Sequence, residues 1–186
     1  MEQREVHLDA KQIRVLAHPL RFRLLGRLRL DGPATATRLA QALDTNTGAT
    51  SYHLRQLADA GLVVEEERPG GGRERWWRSA HEVSSWQRDN YTGDPDATAA
   101  SDWLEGRALE LMVENAEAWQ RARDDESPEW RQAANFSDYG LNLSPEQLND
   151  LQAELAAVVE RYREAGPAAG ARQVFFYMYA LPRVDK

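Results

Sequence analysis

The periodicity of the chain changes at Gly61, and that change limits the folds open to it. Upstream, apolar residues recur at helical spacing. A short first pattern lies between Leu8 and His18 and breaks at His18-Pro19, because the residue before a proline is steered away from the α region. A second runs from Leu20 to Leu30, with Leu20, Leu24 and Leu28 one above another and Phe22 and Leu25 widening the face. Asp31-Gly32-Pro33 ends it, and Thr35 is placed to cap a third helix whose apolar side is Leu39, Ala40 and Leu43. After the turn Asp44-Thr45-Asn46, Thr47 is the expected cap of a fourth helix that buries Leu54 and Leu57 and stops at Gly61. Downstream the pattern is that of a hairpin. Leu62 to Arg68 reads as a strand, Pro69-Gly70-Gly71-Gly72 as a tight connection, and Arg73 to Ser79 as the return strand, with Trp76 and Trp77 on opposite faces.

Helices, a short turn, another helix and then a β-hairpin is the order of a winged helix-turn-helix. In that arrangement a small leucine core fixes the fourth helix so that its polar side enters the DNA major groove, where base edges are distinguishable. The polar side comprises Thr47, Thr50, Ser51, Tyr52, Arg55 and Gln56, with His53 on its border. Arg68, Arg73, Arg75 and Arg78 surround the hairpin tip, where they would neutralise backbone phosphates. The glycine-rich tip lacks the lysine and following helix of a phosphate-binding P-loop.

The segment from Ser51 to Val63 (Ser-Tyr-His-Leu-Arg-Gln-Leu-Ala-Asp-Ala-Gly-Leu-Val) resembles the recognition-helix signature of ArsR-type transcriptional regulators. Val15 to Leu25 is similar to that family's opening segment, and Arg73 to Arg78 to the wing of a branch with extended C-terminal regions. The resemblance covers about residues 10 to 80 and implies a homodimer reading a two-fold operator, usually as a repressor released by an effector. Metal-sensing members place cysteines near the helix before the recognition helix, or Asp and His on the dimer helix. This chain has no cysteine, and its long central helix has no histidine, so metal sensing is not expected, and no cofactor is implied.

The remaining sequence defines two further regions. Residues 81 to 95 read as irregular, and a long amphipathic helix is expected from Asp96 to Asp125, ended by Ser127-Pro128. Its stripe of Trp103, Leu104, Leu111, Met112 and Trp119 must cover something, and a dimer seam is the favoured reading. Strands are expected at Asn135 to Leu143 and Val174 to Leu181, around a helix that Ser144-Pro145-Glu146-Gln147 starts with a capping box and that runs to Glu164. The expected fold is therefore mainly α with small β, in three regions: a winged helix-turn-helix over 8–80, a linker and dimerisation helix over 81–133, and a strand-helix-strand unit over 134–186. The aromatic residues of the last region (Phe136, Tyr139, Tyr162, Phe175, Phe176, Tyr177, Tyr179) either line an effector pocket or form the core of a unit that widens the dimer, the latter being favoured.

Charge is divided unevenly. Residues 1 to 80 carry 13 Lys/Arg against 10 Asp/Glu, whereas the rest carries 10 against 20, so the net −7 hides a basic N-terminal half. No apolar run is long enough to cross a bilayer, and the N-terminus lacks a signal-peptide core. With no cysteine nucleophile, P-loop, dinucleotide fingerprint or catalytic dyad in motif context, an enzyme is not expected. The expected function is a cytoplasmic, homodimeric regulator of transcription that binds double-stranded DNA, with an unidentified small-molecule effector as a further partner. A winged helix that binds protein instead of DNA is the alternative.

Overall fold

Each N-terminal helix starts at a side chain that satisfies its first free amides. The computed structural model describes residues 5–67 and 74–184. Asp9 caps α1 (Ala10–Leu16) and Gln12 reaches back to the Asp9 amide, closing a capping box. His18 caps α2 (Pro19–Leu30): its Nδ1 accepts from the Leu20 amide at 3.2 Å, with Pro19 at the first helical position. Thr35 caps α3 (Ala36–Ala42), as expected. The cap of α4 (Thr47–Asp59) is Asn46 and not Thr47: Asn46 has extended backbone, and its Oδ1 accepts from the Ala49 amide at 2.7 Å. Gly61, at φ +71°, takes the left-handed turn that ends α4.

Strand β1 (Glu5–His7) precedes α1, and the two-residue β2 (Ala34–Thr35) leads into α3. The hairpin of β3 (Val63–Glu66) and β4 (Trp76–Ser79) pairs antiparallel from Val63↔Ser79 to Glu66↔Trp76, and β2 joins the other edge of β4. This three-stranded sheet places Trp77 inside, 4% exposed, while Trp76 stays half-buried. Residues 81 to 95, expected to be irregular, carry β5 (Val83–Ser85), which pairs in parallel with β1, and a 3₁₀ turn over Arg88–Tyr91. The buried Tyr91 hydroxyl donates to the Leu8 carbonyl at 2.7 Å and ties that turn to the N-terminal strand. Arg29 fastens the end of the wing, donating to the His81 carbonyl at 3.1 Å and to the Ser84 hydroxyl at 2.7 Å. Desolvation lowers its pKa to about 10, so it remains charged at neutral pH.

Two units are distinguished, residues 1–111 and 112–186. The core of the first joins Ile13, Leu24, Leu25, Leu54, Leu57, Leu62 and Val63 to the start of the long helix α5 (Pro95–Ala122) through Ala97, Ala100 and Leu104. The first unit thus extends beyond the winged helix-turn-helix as far as Leu111.

In the second unit α5 ends in a 3₁₀ turn over Arg123–Asp125. Ser127-Pro128, read as a helix stop, instead starts the short α6 (Pro128–Ala133), because Ser127 caps and Pro128 takes the first position. Helix α7 (Pro145–Glu164) has the expected bounds and the expected Ser144/Gln147 capping box. The two flanking strands are corrected: among the described residues neither 135–143 nor 174–181 is in a strand. A strand exists only in a ladder, and neither segment has a ladder partner among the described residues.

Candidate nucleic-acid interface

Helix α4 is held by one face and offers the other. Thr50, Leu54 and Leu57, at i, i+4 and i+7, are fully buried against the core. The opposite face carries Thr47, Tyr52 and Arg55, all exposed, with Ser51 and Gln56 half-buried beside them. Among the described residues Arg55 makes no hydrogen bond or ion pair, so its guanidinium is free to meet a ligand.

Two sequence expectations for α4 are corrected. Thr50 is 0% exposed and its hydroxyl donates to the Asn46 carbonyl at 3.1 Å, so it belongs to the core side. His53 turns toward α2: its ring lies 4.4 Å from that of His18, and its Nδ1 is buried without a hydrogen-bond partner among the described residues. Burial first, then the charge of Arg21, lowers the His18 pKa; burial, then His18 and Arg21, lowers that of His53. Both imidazoles are thus favoured neutral, packed between α2 and α4. Arg21 is itself tied down, donating through Nε to the Val15 carbonyl.

The wing contributes differently from expectation. Arg75 is exposed but paired with Glu65 at 3.1 Å. Such an exposed pair is worth little, so a phosphate can displace the carboxylate. Arg78 is half-buried and donates to the Ser79 carbonyl at 3.3 Å, which points it back along its own strand. Arg68 and Arg73 lie outside the described residues. A residue not singled out from sequence stands beside these: Arg38 on α3 is exposed and lies 4.7 Å above the Trp76 ring. That cation–π contact holds a guanidinium at the junction of α3 and the wing. The signal was present as an arginine on the outer side of the third helix, but its aromatic partner is 38 residues away in sequence.

The expected dimer stripe is divided between the two units. Leu104 is 0% exposed in the core of the first unit and Trp103 packs edge-on against Phe22 at 6.2 Å, so neither is free for a partner, and both are withdrawn from the seam. Leu111 and Met112 are half-buried. Trp119, also half-buried, lines a hollow of about 290 Å³ in the second unit with Arg123, Asp124, Arg131 and Ala134. None of the seven C-terminal aromatic residues lines that hollow. Among the described residues no three His, Asp or Glu side chains are grouped to hold a metal ion, and no helix is long and apolar enough to cross a membrane.

No curated protein matches the chain. Among solved structures it is similar to the homodimeric winged helix-turn-helix DNA-binding domain of a possible ArsR-family regulator from Mycobacterium bovis. That likeness has 23% identity, covers 57% of this chain and 77% of the other, and has a TM-score of 0.36. It is similar also to a possible transcriptional regulator for arsenical resistance (27% identity, 63% and 97% covered, TM-score 0.33). A third is an ArsR family transcriptional regulator (26% identity, 59% and 93% covered, TM-score 0.32). Residues 16–66 are similar to the family model described as a helix-turn-helix domain, and β3, the first strand of the hairpin, is the last element of the matched segment.

Proposed function

We propose that this chain is a sequence-specific DNA-binding regulator of transcription, acting in the cytoplasm as a homodimeric repressor on a two-fold operator. The observation that carries the reading is α4 itself: one face locked into the core through Thr50, Leu54 and Leu57, the other presenting Thr47, Ser51, Tyr52, Arg55 and Gln56. Arg55 and Gln56 supply the planar groups that read base edges, Ser51 and Tyr52 hydroxyls for phosphates, and Arg38 and Arg75 flanking charge. Two copies would set their recognition helices about 34 Å apart, one turn of DNA. Leu111, Met112 and Trp119 on α5 are the remaining candidates for a seam on that helix. A small-molecule effector would act by changing the spacing between the two subunits.

The test is binding of the purified full chain to its own upstream region, and to sites selected from random duplexes, at two salt concentrations with competitor DNA. Contact with phosphates predicts a steep loss of affinity with salt, each neutralised phosphate adding about −0.9 to the log–log slope. Binding that ignores salt, or that vanishes with any competitor while selection recovers no site, overturns the proposal.

A further inference from the structure

Most arginines of the first unit are already committed. Arg14, Arg27 and Arg75 are paired with carboxylates, while Arg21, Arg23 and Arg78 donate to backbone carbonyls. Among the described arginines of this unit, Arg38 and Arg55 alone have neither a hydrogen bond nor an ion pair through the guanidinium. They sit on consecutive helices, α3 and α4, the two helices of the helix-turn-helix. Arg55 projects from the recognition face. Arg38 differs from it in having an aromatic seat.

Thr35 builds that seat from both sides. It is the ladder partner of Trp76 between β2 and β4, and its hydroxyl accepts from the Arg38 amide at 3.3 Å to cap α3. Thr35 is 5% exposed, so the ring and the arginine are both placed by one buried residue. The Arg38 Cζ lies 4.7 Å from the centre of the half-buried Trp76 ring, inside the reach of about 6 Å for a cation–π contact, and tryptophan is the best partner of that kind. Such a contact restrains the side chain without neutralising it. A carboxylate would take charge and donors together, whereas the ring leaves the guanidinium N–H groups for an acceptor from outside. A side chain restrained before binding loses less freedom on binding. When a helix-turn-helix docks on DNA its first helix crosses the backbone, and phosphate is an acceptor that the guanidinium fork matches.

We propose that Trp76 is a positioning residue for DNA binding, its ring holding the Arg38 guanidinium where it takes a backbone phosphate. The proposal rests on the DNA-binding reading of the preceding subsection, and the test separates the failure of each. The full chain is titrated by fluorescence anisotropy onto its selected operator and onto an unrelated duplex, over about 50 to 200 mM salt. Arg38→Gln should weaken binding to both duplexes about ten-fold or more, because a phosphate contact carries no sequence information. Its log–log slope should be shallower by about 0.9. Trp76→Leu should weaken binding about two- to five-fold in the parent and not at all in the Arg38→Gln background. Trp76→Phe, which keeps a ring, should recover most of that loss. Trp76 is half-buried, so each variant is melted first and titrated below its transition; Arg38→Gln, at an exposed position, carries the test if Trp76→Leu fails to fold. A tryptophan that only packs lowers the melting temperature and affects DNA binding equally with and without Arg38, which overturns the proposal. So does an unchanged salt slope in Arg38→Gln, or a loss confined to one operator position, which means a base contact. An unaltered chain that binds no duplex ends both readings. One that binds, with Arg38→Gln binding as well as the parent, leaves the regulator reading standing without this phosphate contact.

Discussion

Replacing Arg55 by alanine separates recognition from folding more cleanly than any other change on α4. Its side chain is exposed and, among the described residues, has no hydrogen bond or ion pair. Nothing inside the protein is broken by its removal, and alanine is the better helix former. The stability of Arg55→Ala should therefore stay within about 0.5 kcal/mol of the parent, a shift in melting temperature of about 2 °C or less. Affinity for the operator should fall far more. A bidentate guanidinium on a guanine is worth about 1–3 kcal/mol, so the dissociation constant should rise about 5- to 150-fold. Fluorescence anisotropy titrations between about 50 and 200 mM salt tell the two modes of contact apart. A base contact gives loss of discrimination at one position with little change in salt dependence. A phosphate contact gives a uniform loss and a log–log slope shallower by about 0.9. Affinity within about two-fold of the parent at every salt concentration would remove Arg55 from the interface. A melting temperature lowered by several degrees would instead refute the claim that the side chain has no structural partner.

Thr50→Val should leave operator affinity unchanged within about two-fold and cost about 1 kcal/mol of stability, because its hydroxyl is bonded to the Asn46 carbonyl inside the core; a selective loss of DNA binding would return Thr50 to the groove. Leu54→Ala, at a position with 0% exposure, should cost about 2–5 kcal/mol, read by thermal melting of the full chain, and a loss below about 1 kcal/mol would mean that α4 is not anchored as described. The His18–His53 pair predicts a pH effect with a definite sign. Folded pKa values below the ordinary value of about 6.5 mean that the unfolded chain binds more protons, so the stability from this pair is full above pH of about 6.5 and is lost as pH falls through the folded values. Protonating His18 at Nδ1 also removes the acceptor that caps α2. The double variant His18→Asn, His53→Gln should flatten the stability profile just below about pH 6.5, and an unaltered slope would show that other groups titrate there.

How much of the molecule can be read in the sequence depends on whether the deciding interaction is local. Thr35, Gly61 and the Ser144/Gln147 box act within three or four residues of their own backbone, and each does what the sequence predicts. Asn46 and Thr47 can both cap, and only the backbone angle at Asn46 separates them. Thr50 was legible: its spacing to Leu54 and Leu57 places it on the buried side whatever its polarity. So was the first half of α5, where the small residues Ala97 and Ala100 continue into Leu104 and mark close packing in the chain's own core. Strands β1 and β5 were not legible. Each has three residues, and their parallel pairing joins positions 78 residues apart, for example Glu5 and Val83.

The C-terminal half fails to match its expected strands for a physical reason that bears on its role. β-propensity measures how well a side chain fits a pleated, half-buried surface, so an apolar run such as Val174 to Leu181 states a preference that some neighbour must satisfy. Within this chain the Phe175 and Tyr177 rings stack at 6.2 Å and the Asn115 amide donates to the Tyr177 hydroxyl at 2.6 Å. Yet no ladder forms among the described residues. A solvated loop does not need eight successive residues without a charge, and a strand does not form without a second strand. Both conditions are met when the missing neighbour is a strand supplied by another copy of the chain. Strand content measured by circular dichroism should then rise with protein concentration in step with dimer mass. Strand content that stays constant while the mass doubles would refute this account of the aromatic run.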